Sequence, residues 1–211
     1  MDSSVRFDQD EVGLITAAQH GRVDAFNQLV LAYQSQVYNL AYRIVSDPAA
    51  AADATQEAFV SAYQNIGRFR GGSFKSWMLR IVANACYDEL RRRARRPAVS
   101  LEDLSEVDPE ANPVLADDAE GPPEYAERRE LERVIQAGIR TLPAEQRITL
   151  VLSDIQGLNY QEIAQATRVS LGTVKSRLAR ARGKMRDYLR EHGELLPSRY
   201  RLESDGSGTA E

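Results

Sequence analysis

The sequence predicts an all-α protein: two small helical domains joined by an extended acidic linker, the second ending in a helix-turn-helix. Apolar residues recur at helical spacing through most of the chain, and the alternating pattern typical of strands is lacking. Between the two helical parts, residues 97–124 contain five prolines, nine acidic residues and no Lys or Arg. A segment of this composition cannot bury enough apolar surface to fold alone, so it is expected to be extended.

The first domain is predicted over residues 1–96. Its apolar residues follow a helical period from Val12 to Ile44, and Asp47-Pro48 interrupts the pattern. A second helix is predicted from about residue 50 to 66, with Phe59, Ala62, Tyr63 and Ile66 on its inner face. Gly71-Gly72 marks a loop, and a third helix follows over about 74–93. Its inner stripe is predicted to contain Trp77, Ile81, Val82 and Ala85.

The linker over residues 97–124 has two interpretations that the sequence leaves open. It is either a passive solvated tether or a segment whose negative charge occupies a cationic groove on a partner. The second domain is predicted over 125–192. Pro143 suits the first turn of a helix that carries Ile148, Val151, Leu152 and Ile155 and stops at Gly157. The tail over 193–211 is expected to be disordered.

The helix-turn-helix lies between Leu158 and Arg182. Asn159 and Glu162 have the spacing of a capping box, and Ser170 can cap the second helix. Thr167-Arg168 occupies the end of the first helix, where many such motifs have a left-handed glycine, and a non-glycine residue there costs about 1 kcal/mol or more. The second helix buries one face through Val174, Leu178, Ala181 and Met185.

The opposite face of this second helix carries small and polar residues framed by cations. Such a face fits the major groove of DNA, because small side chains allow close approach and cations hold the phosphates. The alternative is a cationic helix with a solvated outer face. The residues expected to contact duplex DNA are Thr173, Lys175, Ser176, Arg177, Ala179 and Arg180.

Cations alternate with aromatic rings around the Gly71-Gly72 loop. This arrangement suits single-stranded nucleic acid, since bases stack on rings while cations hold phosphates. Phe74 and Trp77 could equally be core residues. The cations and the first ring of this loop region are Arg68, Phe69, Arg70, Lys75 and Arg80.

One stripe of the third helix extends this surface. At about 100° per residue, Arg80, Asn84, Tyr87 and Arg91 fall within about 60° of one another. An amide can pair with a base edge, a tyrosine can stack on an unpaired base, and two arginines can hold separate phosphates. The alternative is a solvated face with Tyr87 half buried.

The second helix also has a polar face opposite its inner stripe. Its residues are Asp53, Gln56, Glu57, Val60 and Gln64. The two carboxylates could be a catalytic pair, but no companion histidine and no metal-ligand set accompanies them. A solvated or protein-binding face is therefore favoured over catalysis.

The composition narrows the function classes further. The net charge is −4, yet positive charge is concentrated in two blocks on either side of the acidic linker. A single cysteine, Cys86, excludes an internal disulfide framework, and two distant histidines make a structural metal site improbable. No cofactor is expected. The sequence shows no signal peptide and no long apolar run, so we expect a cytoplasmic protein without membrane insertion.

The order of these parts resembles a bacterial RNA polymerase sigma factor of the extracytoplasmic-function (ECF) group in the sigma-70 family. The resemblance covers roughly residues 10–191. Its most specific parts are DATQEAFVSAYQNI, FRGGSFKSWMLRIVANACYDELRRR, LPAEQRITLVLSDIQGLNYQEIA and VSLGTVKSRLARAR.

The resemblance implies a role for each part. Residues 53–66 would bind the polymerase clamp, and residues 68–76, including Ser76, would capture a flipped base of the −10 element. Residues 160–179 would hold the −35 reader, and the linker would thread into the polymerase cleft. An anti-sigma factor is a further expected partner. Two other hypotheses remain: a stand-alone helix-turn-helix regulator, and an enzyme acting on nucleic acid, for which no nucleophile or acidic triad is apparent.

Overall fold

A computed structural model describes the backbone of residues 3–95 and 122–193, and the side chains of residues 11–95 and 125–193. Within these ranges the chain is helical and has no strand, which confirms the all-α prediction. The helices of the first domain are α1 (Ser3–Gln19), α2 (Val23–Val45), α3 (Pro48–Asn65) and α4 (Phe74–Arg95). Those of the second are α5 (Pro122–Thr141), α6 (Ala144–Leu150), α7 (Tyr160–Thr167) and α8 (Leu171–Glu191).

The apolar series from Val12 to Ile44 forms two helices, so the single helical stretch of the sequence prediction was wrong. Gly21 has φ +86°, a left-handed conformation that ends α1, and α2 starts after Arg22. Because the turn is short, the apolar period survives across it. Val12 is 65% exposed and lies outside the core.

Helix α3 begins as the sequence predicts. The Asp47 side chain accepts a hydrogen bond from the Ala50 backbone N–H at 2.7 Å, and Pro48 is the first helical residue. The buried stripe, however, consists of small residues: Ala50, Ala51, Ala54, Ala58 and Ala62. Small side chains let α2 and α4 approach closely. This closeness pushes larger rings to the edge of α3, so Tyr63 is 42% exposed and the predicted inner face was wrong at this residue.

The buried stripe of α4 is also rotated relative to the prediction. Phe74, Met78, Leu79 and Cys86 are buried together with the predicted Val82, whereas Trp77, Ile81 and Ala85 are half buried. The reason is that α4 is covered on two sides, by α2 and α3 on one and by α6 and α7 on the other. A sequence period cannot distinguish two covered sides from one.

In the second domain, α6 passes into a π-helical turn over Val151–Ile155, and Gly157 with φ +73° ends this segment. Pro143 precedes α6 as its N-cap. Ile155 is 38% exposed and therefore lies at the margin of the core on which it was predicted to pack. Helix α5 begins at Pro122, three residues before the predicted start of the domain.

The two domains pack against each other, and their buried residues form one continuous hydrophobic cluster. Helices α6 and α7 lie on α4, and α5 and α6 lie near the end of α2. Residues 96–121, which contain most of the predicted linker, and the predicted tail from residue 194 lie outside the described residues. The packing between the domains was not predicted.

Candidate nucleic-acid and protein interfaces

The first helix of the helix-turn-helix, α7, is fixed by its own side chains. The Asn159 Oδ1 atom accepts hydrogen bonds from the N–H groups of Gln161 and Glu162, at 2.9 and 3.0 Å. The Glu162 carboxylate accepts one in return from the Asn159 N–H at 2.9 Å. The predicted capping box is therefore confirmed, and it fixes where α7 starts.

The turn after α7 contains a left-handed residue, as the motif requires. Arg168 has φ 54° and ψ 43°, and the Val169 N–H donates to the Ala164 carbonyl at 3.1 Å. Ser170 then caps α8, since its Oγ atom accepts from the Thr173 N–H at 3.1 Å. An arginine holds a position that usually favours glycine, which costs about 1 kcal/mol or more.

Helix α8, the second helix of the helix-turn-helix, has the predicted two faces. Val174, Leu178, Ala181 and Met185 are buried against the domain. Lys175, Ser176, Ala179 and Arg180 are exposed on the other side. This exposed face is small and polar with cations beside it, so a duplex can approach it in the described conformation.

Two of the predicted duplex-contacting residues face elsewhere. Thr173 is half buried, and its hydroxyl lies 2.9 Å from that of Ser170. The side chain of Arg177 is only 19% exposed and lies 3.4 Å from the Glu145 carboxylate of α6. Arg177 therefore lies against α6 of its own domain rather than along the exposed face.

Arg182, a cation at the far edge of this face, is held by a bidentate ion pair. Its guanidinium donates to the two Asp154 oxygens at 2.9 and 2.6 Å. The hydrogen bonds from Arg182 lower the pKa of Asp154 below its ordinary value. Sequence reasoning missed this pair because the two residues are 28 positions apart. Arg182 thus fastens α8 to the segment before α7.

The rings near the glycine loop pack on one another. The Phe69 centroid lies 5.7 Å from that of Phe74 and 5.4 Å from that of Trp77. Phe74 is buried, whereas Phe69 and Trp77 are half buried. The core interpretation is correct for Phe74, while Phe69 and Trp77 each keep one exposed edge. Arg68 and Arg70 are exposed beside them, and Lys75 is half buried.

The predicted stripe of α4 lies on one side of the helix, and that side faces the second domain. Arg80, Asn84 and Tyr87 are half buried, and Arg91 is exposed. The Arg91 guanidinium lies over the Tyr87 ring, 5.7 Å from its centroid. Ser76 near the start of α4 donates to the Glu162 carboxylate at 2.7 Å.

A groove of about 560 Å³ separates α4 from α3 and α7. Three guanidinium groups line it, from Arg68, Arg80 and Arg168, and they are accompanied by the carboxylates of Glu57 and Asp88. Arg168 and Asp88 were absent from the sequence prediction. Little in the sequence indicated the role of Arg168 in this groove, because it reaches the groove only through the packing of the two domains.

The predicted protein-binding face of α3 is exposed over its whole length. Asp53, Gln56, Glu57, Val60 and Gln64 are all exposed, and Val60 is 51% exposed. This face lies away from the second domain except at Glu57, which also borders the groove. An apolar residue among polar ones on a free helix face is typical of a protein interface.

Among the described residues, no group of three or more His, Cys, Asp or Glu is arranged to hold a metal ion. The helices of the described ranges also include none that is long and apolar enough to cross a membrane.

An exposed, cation-flanked helix-turn-helix on one domain and a cationic, aromatic surface on the other are the features of a two-domain nucleic-acid-binding protein. Comparison with known protein families shows to which family the chain belongs. The family model for Sigma-70 region 2 matches residues 29–96, and that for Sigma-70 region 4 matches residues 132–185. The chain belongs to the ECF group of the sigma-70 family of RNA polymerase sigma factors.

Three relatives illustrate the similarity, each matched over 80% of this chain. The RNA polymerase sigma-H factor of Pseudomonas aeruginosa is 38% identical over 172 residues, which span 88% of that protein. The ECF sigma-E factor of Escherichia coli K12 is 35% identical over 170 residues, also 88% of its length. The ECF sigma factor SigE of Mycolicibacterium smegmatis is 38% identical, and the match spans 63% of it.

Solved structures share the fold. CnrH, determined in complex with the cytosolic domain of CnrY, superposes with a TM-score of 0.59 at 25% identity, over 85% of this chain and 96% of that one. RpoE of Bartonella quintana, in complex with the anti-sigma factor NepR, gives 0.57 at 22% identity, over 79% and 98%.

Proposed function

We propose that this chain binds the RNA polymerase core and directs promoter-specific initiation, with no catalytic activity of its own. One observation carries the proposal: a single chain matches both region 2 and region 4 of the sigma-70 family, one on each helical domain. The work takes place in the cytoplasm, where polymerase and promoter DNA are found. The domain limits of residues 1–96 and 125–192, with a linker over 97–124 and a tail over 193–211, belong to the same proposal.

The exposed face of α3 is the surface for the polymerase clamp. The packing of the two domains leaves this face exposed. Its residues are Asp53, Gln56, Glu57, Val60 and Gln64. Val60 supplies an apolar centre and the carboxylates supply charge around it. Such a layout, an apolar centre with a polar rim, is that of a specific protein interface.

Reading of the −35 element is assigned to α8. Arg180 and Ser176 can reach base edges because Ala179 between them is small and exposed. Lys175 holds a phosphate beside them. Arg177 reaches the duplex after the Arg177–Glu145 contact is released. Thr173 reaches it after its hydroxyl separates from that of Ser170.

Opening and reading of the −10 element is assigned to the glycine loop and α4. Arg68, Arg70 and Lys75 hold the displaced strand, and Phe69, which packs on Phe74 and Trp77, captures the flipped base together with Ser76. The Arg80, Asn84, Tyr87 and Arg91 stripe continues this path along α4. Cations and rings in alternation are the usual means of holding an unpaired strand.

The acidic linker and an inhibitory partner complete the proposal. The linker's nine acids and lack of cations favour a segment that lies in the cationic polymerase cleft, rather than a passive tether. The Bartonella RpoE structure contains an anti-sigma factor. A protein of this kind that covers the polymerase-binding surfaces is the expected regulator here.

Run-off transcription tests the function directly. Purified polymerase core is supplied with genomic promoter fragments, with and without this protein. The proposal predicts discrete transcripts only when the protein is present. A helix-turn-helix regulator acting alone would instead retain duplex fragments on its own and add no activity to core, and that result would replace the proposal.

A further inference from the structure

The side chain of Gln19, the last residue of α1, holds the backbone that leads into the glycine loop. Its Nε2 atom donates to the Ile66 carbonyl at 3.1 Å and to the Phe69 carbonyl at 2.9 Å. Because both acceptors are carbonyl oxygens, the amide nitrogen must face them, and its two N–H groups serve two positions of the chain. These positions are 47 and 50 residues away in sequence. Gln19 therefore fixes this backbone from another helix.

The two carbonyl groups lie where α3 ends. Helix α3 stops at Asn65, and a single 3₁₀ turn over Ile66–Arg68 follows it. Carbonyl groups at the end of a helix have no partner inside that helix and must find one elsewhere. The Phe69 N–H donates to the Ile66 carbonyl at 3.0 Å, which closes the turn. Gln19 adds a bond at each end of this turn, so the turn is held in place as well as closed.

Helix α1 reaches the same region at a second point, through aromatic rings. The Tyr33 hydroxyl of α2 donates to the Glu11 carboxylate of α1. The Tyr33 ring lies 5.4 Å from that of Phe74, and the Phe74 ring lies 5.7 Å from that of Phe69, between centroids. Gln19 thus acts on the backbone of Phe69, while Glu11 acts through two rings on the surroundings of its side chain.

The loop between this turn and α4 depends on such anchors, because its centre is free to rotate. Gly71 and Gly72 have φ +92° and +86°, values that glycine adopts as readily as the ordinary ones. A Cβ atom at either glycine would have no neighbour within 4 Å among the described residues. The far end of the loop is held by Ser73, whose hydroxyl accepts from the Ser76 N–H at 3.1 Å. The near end is held by Gln19.

The position of Phe69 matters because the flipped −10 base is proposed to lie beside it. Every base can stack on an aromatic ring, so a ring on a loose backbone binds bases without selecting among them. A site selects only when its walls are held within about 0.5 Å of the productive geometry. A firmly anchored Phe69 therefore turns general stacking into discrimination between bases.

We propose that Gln19 is a positioning residue for base selection at −10. It acts through Phe69: by holding the Ile66–Phe69 turn, it keeps the base-capturing loop in one conformation. The inference rests on the proposed −10 role of the loop. It adds a determinant of selectivity on α1, outside both the loop and the stripe of α4.

The single tryptophan of the chain, Trp77, reports on this anchoring in the free protein. Its ring is half buried and lies 5.4 Å from that of Phe69. Gln19→Glu keeps the shape of the side chain, but an ionised carboxylate only accepts hydrogen bonds, so both bonds are lost. The variant should raise the acrylamide quenching constant of Trp77 and leave the helicity by circular dichroism unchanged. A quenching constant equal to that of the wild type would overturn the proposal.

Holoenzyme assembled from polymerase core and this protein tests selection itself. On a promoter that run-off transcription identifies, each −10 position is replaced by the other three bases in a template already melted there. The wild type shows which position has the largest ratio of affinities between the best and the worst base. Gln19→Glu should lower that ratio about fivefold, because two hydrogen bonds that hold Phe69 are lost. Ratios at the −35 element should stay unchanged.

Two further variants separate hydrogen bonding from charge and from stability. Gln19→Lys supplies donors in place of the amide and should retain most of the base ratio. Gln34→Glu makes the same charge change at an exposed glutamine of α2 and should alter neither the ratio nor the quenching. If Gln19→Glu weakens binding equally for all four bases, Gln19 has a merely structural role and the proposal is overturned.

The outcomes also separate this inference from the proposed function. A wild-type holoenzyme with no base preference at any −10 position would refute the role assigned to the loop. A preference that is present in the wild type and undiminished in Gln19→Glu would refute the positioning by Gln19 alone.

Discussion

The exposed face of α8 and the stripe of α4 both carry polar and cationic side chains, but they differ in how far these are exposed to solvent. Lys175, Ser176 and Arg180 on α8 are exposed, whereas Asn84 and Tyr87 on α4 are half buried under the second domain. Duplex DNA is always accessible, while an unpaired strand exists only after polymerase has bound. The proposed duplex-reading face of α8 is therefore exposed in the free chain, whereas the proposed strand-reading stripe of α4 is half buried.

The largest expected effect comes from the proposed polymerase-binding face of α3. Asp53→Lys combined with Glu57→Lys should weaken core binding by about 3 kcal/mol, more than a hundredfold, because reversed charges oppose the partner's charge. Co-purification with core and circular dichroism measure binding and helicity.

Asp187→Lys is the matched control, since Asp187 is an exposed acid on α8. It should leave core binding unchanged. Equal retention of the double variant and the wild type by core would remove α3 from the polymerase interface.

The next effect concerns the strand reader. Asn84→Ala and Tyr87→Ala should each slow promoter opening by about tenfold, since base stacking on an aromatic ring contributes about 1–3 kcal/mol. Permanganate reactivity of exposed thymines measures opening. A template already melted across −10 should restore opening but not base discrimination.

Tyr87→Phe provides the control for this pair, because it keeps the ring and loses only the contact with Glu145. It should open promoters at least as fast as the wild type. If both alanine variants melt promoters at the wild-type rate, the stripe of α4 is a solvated face that does not meet DNA.

A smaller effect separates base reading from phosphate binding on α8. Arg180→Ala should cost about 1–3 kcal/mol of discrimination at one position of the −35 element, while Lys175→Ala should weaken binding to every sequence alike. Binding to a set of single-base variants of the site measures both. Identical losses on all sequences for Arg180→Ala would assign it to phosphate instead.

The smallest effect is on stability. Arg168→Gly should raise the free energy of unfolding by up to about 1 kcal/mol, because glycine adopts φ 54° without the steric cost that a side chain pays. Arg168→Lys should leave it unchanged, since both the charge and the backbone conformation remain. Urea denaturation measures the difference, and a loss of stability in Arg168→Gly would mean that its guanidinium contributes to the groove.

Local signals predicted local structure well. The capping box of Asn159 and Glu162 and the Ser170 cap follow from residues a few positions apart, and both are present. The left-handed residue was expected at Thr167-Arg168, and the structure shows that it is Arg168. The buried face of α8 was predicted from the same short-range spacing. The break at Gly21 was missed because the apolar period continues across it.

Long-range packing was beyond the reach of the sequence. Gln136 and Arg147 meet the end of α2 across 93 and 103 residues, and both bond carbonyl groups, which every residue has. Neither contact leaves a pattern of residue types. The rotated stripe of α4 follows from this packing, and Arg177 pairs with Glu145 across 32 residues of the second domain, so neither was predictable from local spacing. The role of each predicted site residue stays a prediction for the experiments above.

The native cysteine does not interfere with a distance measurement between two introduced spin labels, because it is buried. Cys86 is fully buried, and burial, followed by the nearby Glu57 and Glu89, raises its pKa to about 12, so it does not react with a spin label. Cysteines introduced at the exposed Leu31 of α2 and the exposed Lys184 of α8 can then be labelled selectively.

Pulsed electron resonance between these two labels follows the separation of the domains directly. In the free protein one narrow, short distance distribution is expected, because α6 and α7 pack on α4. Addition of polymerase core should move it to a longer distance while the chain becomes active in transcription. If polymerase core leaves the distribution unchanged in a preparation that initiates normally, the two domains stay packed during initiation. That result would contradict strand binding by Asn84 and Tyr87 of α4, which are half buried under the second domain.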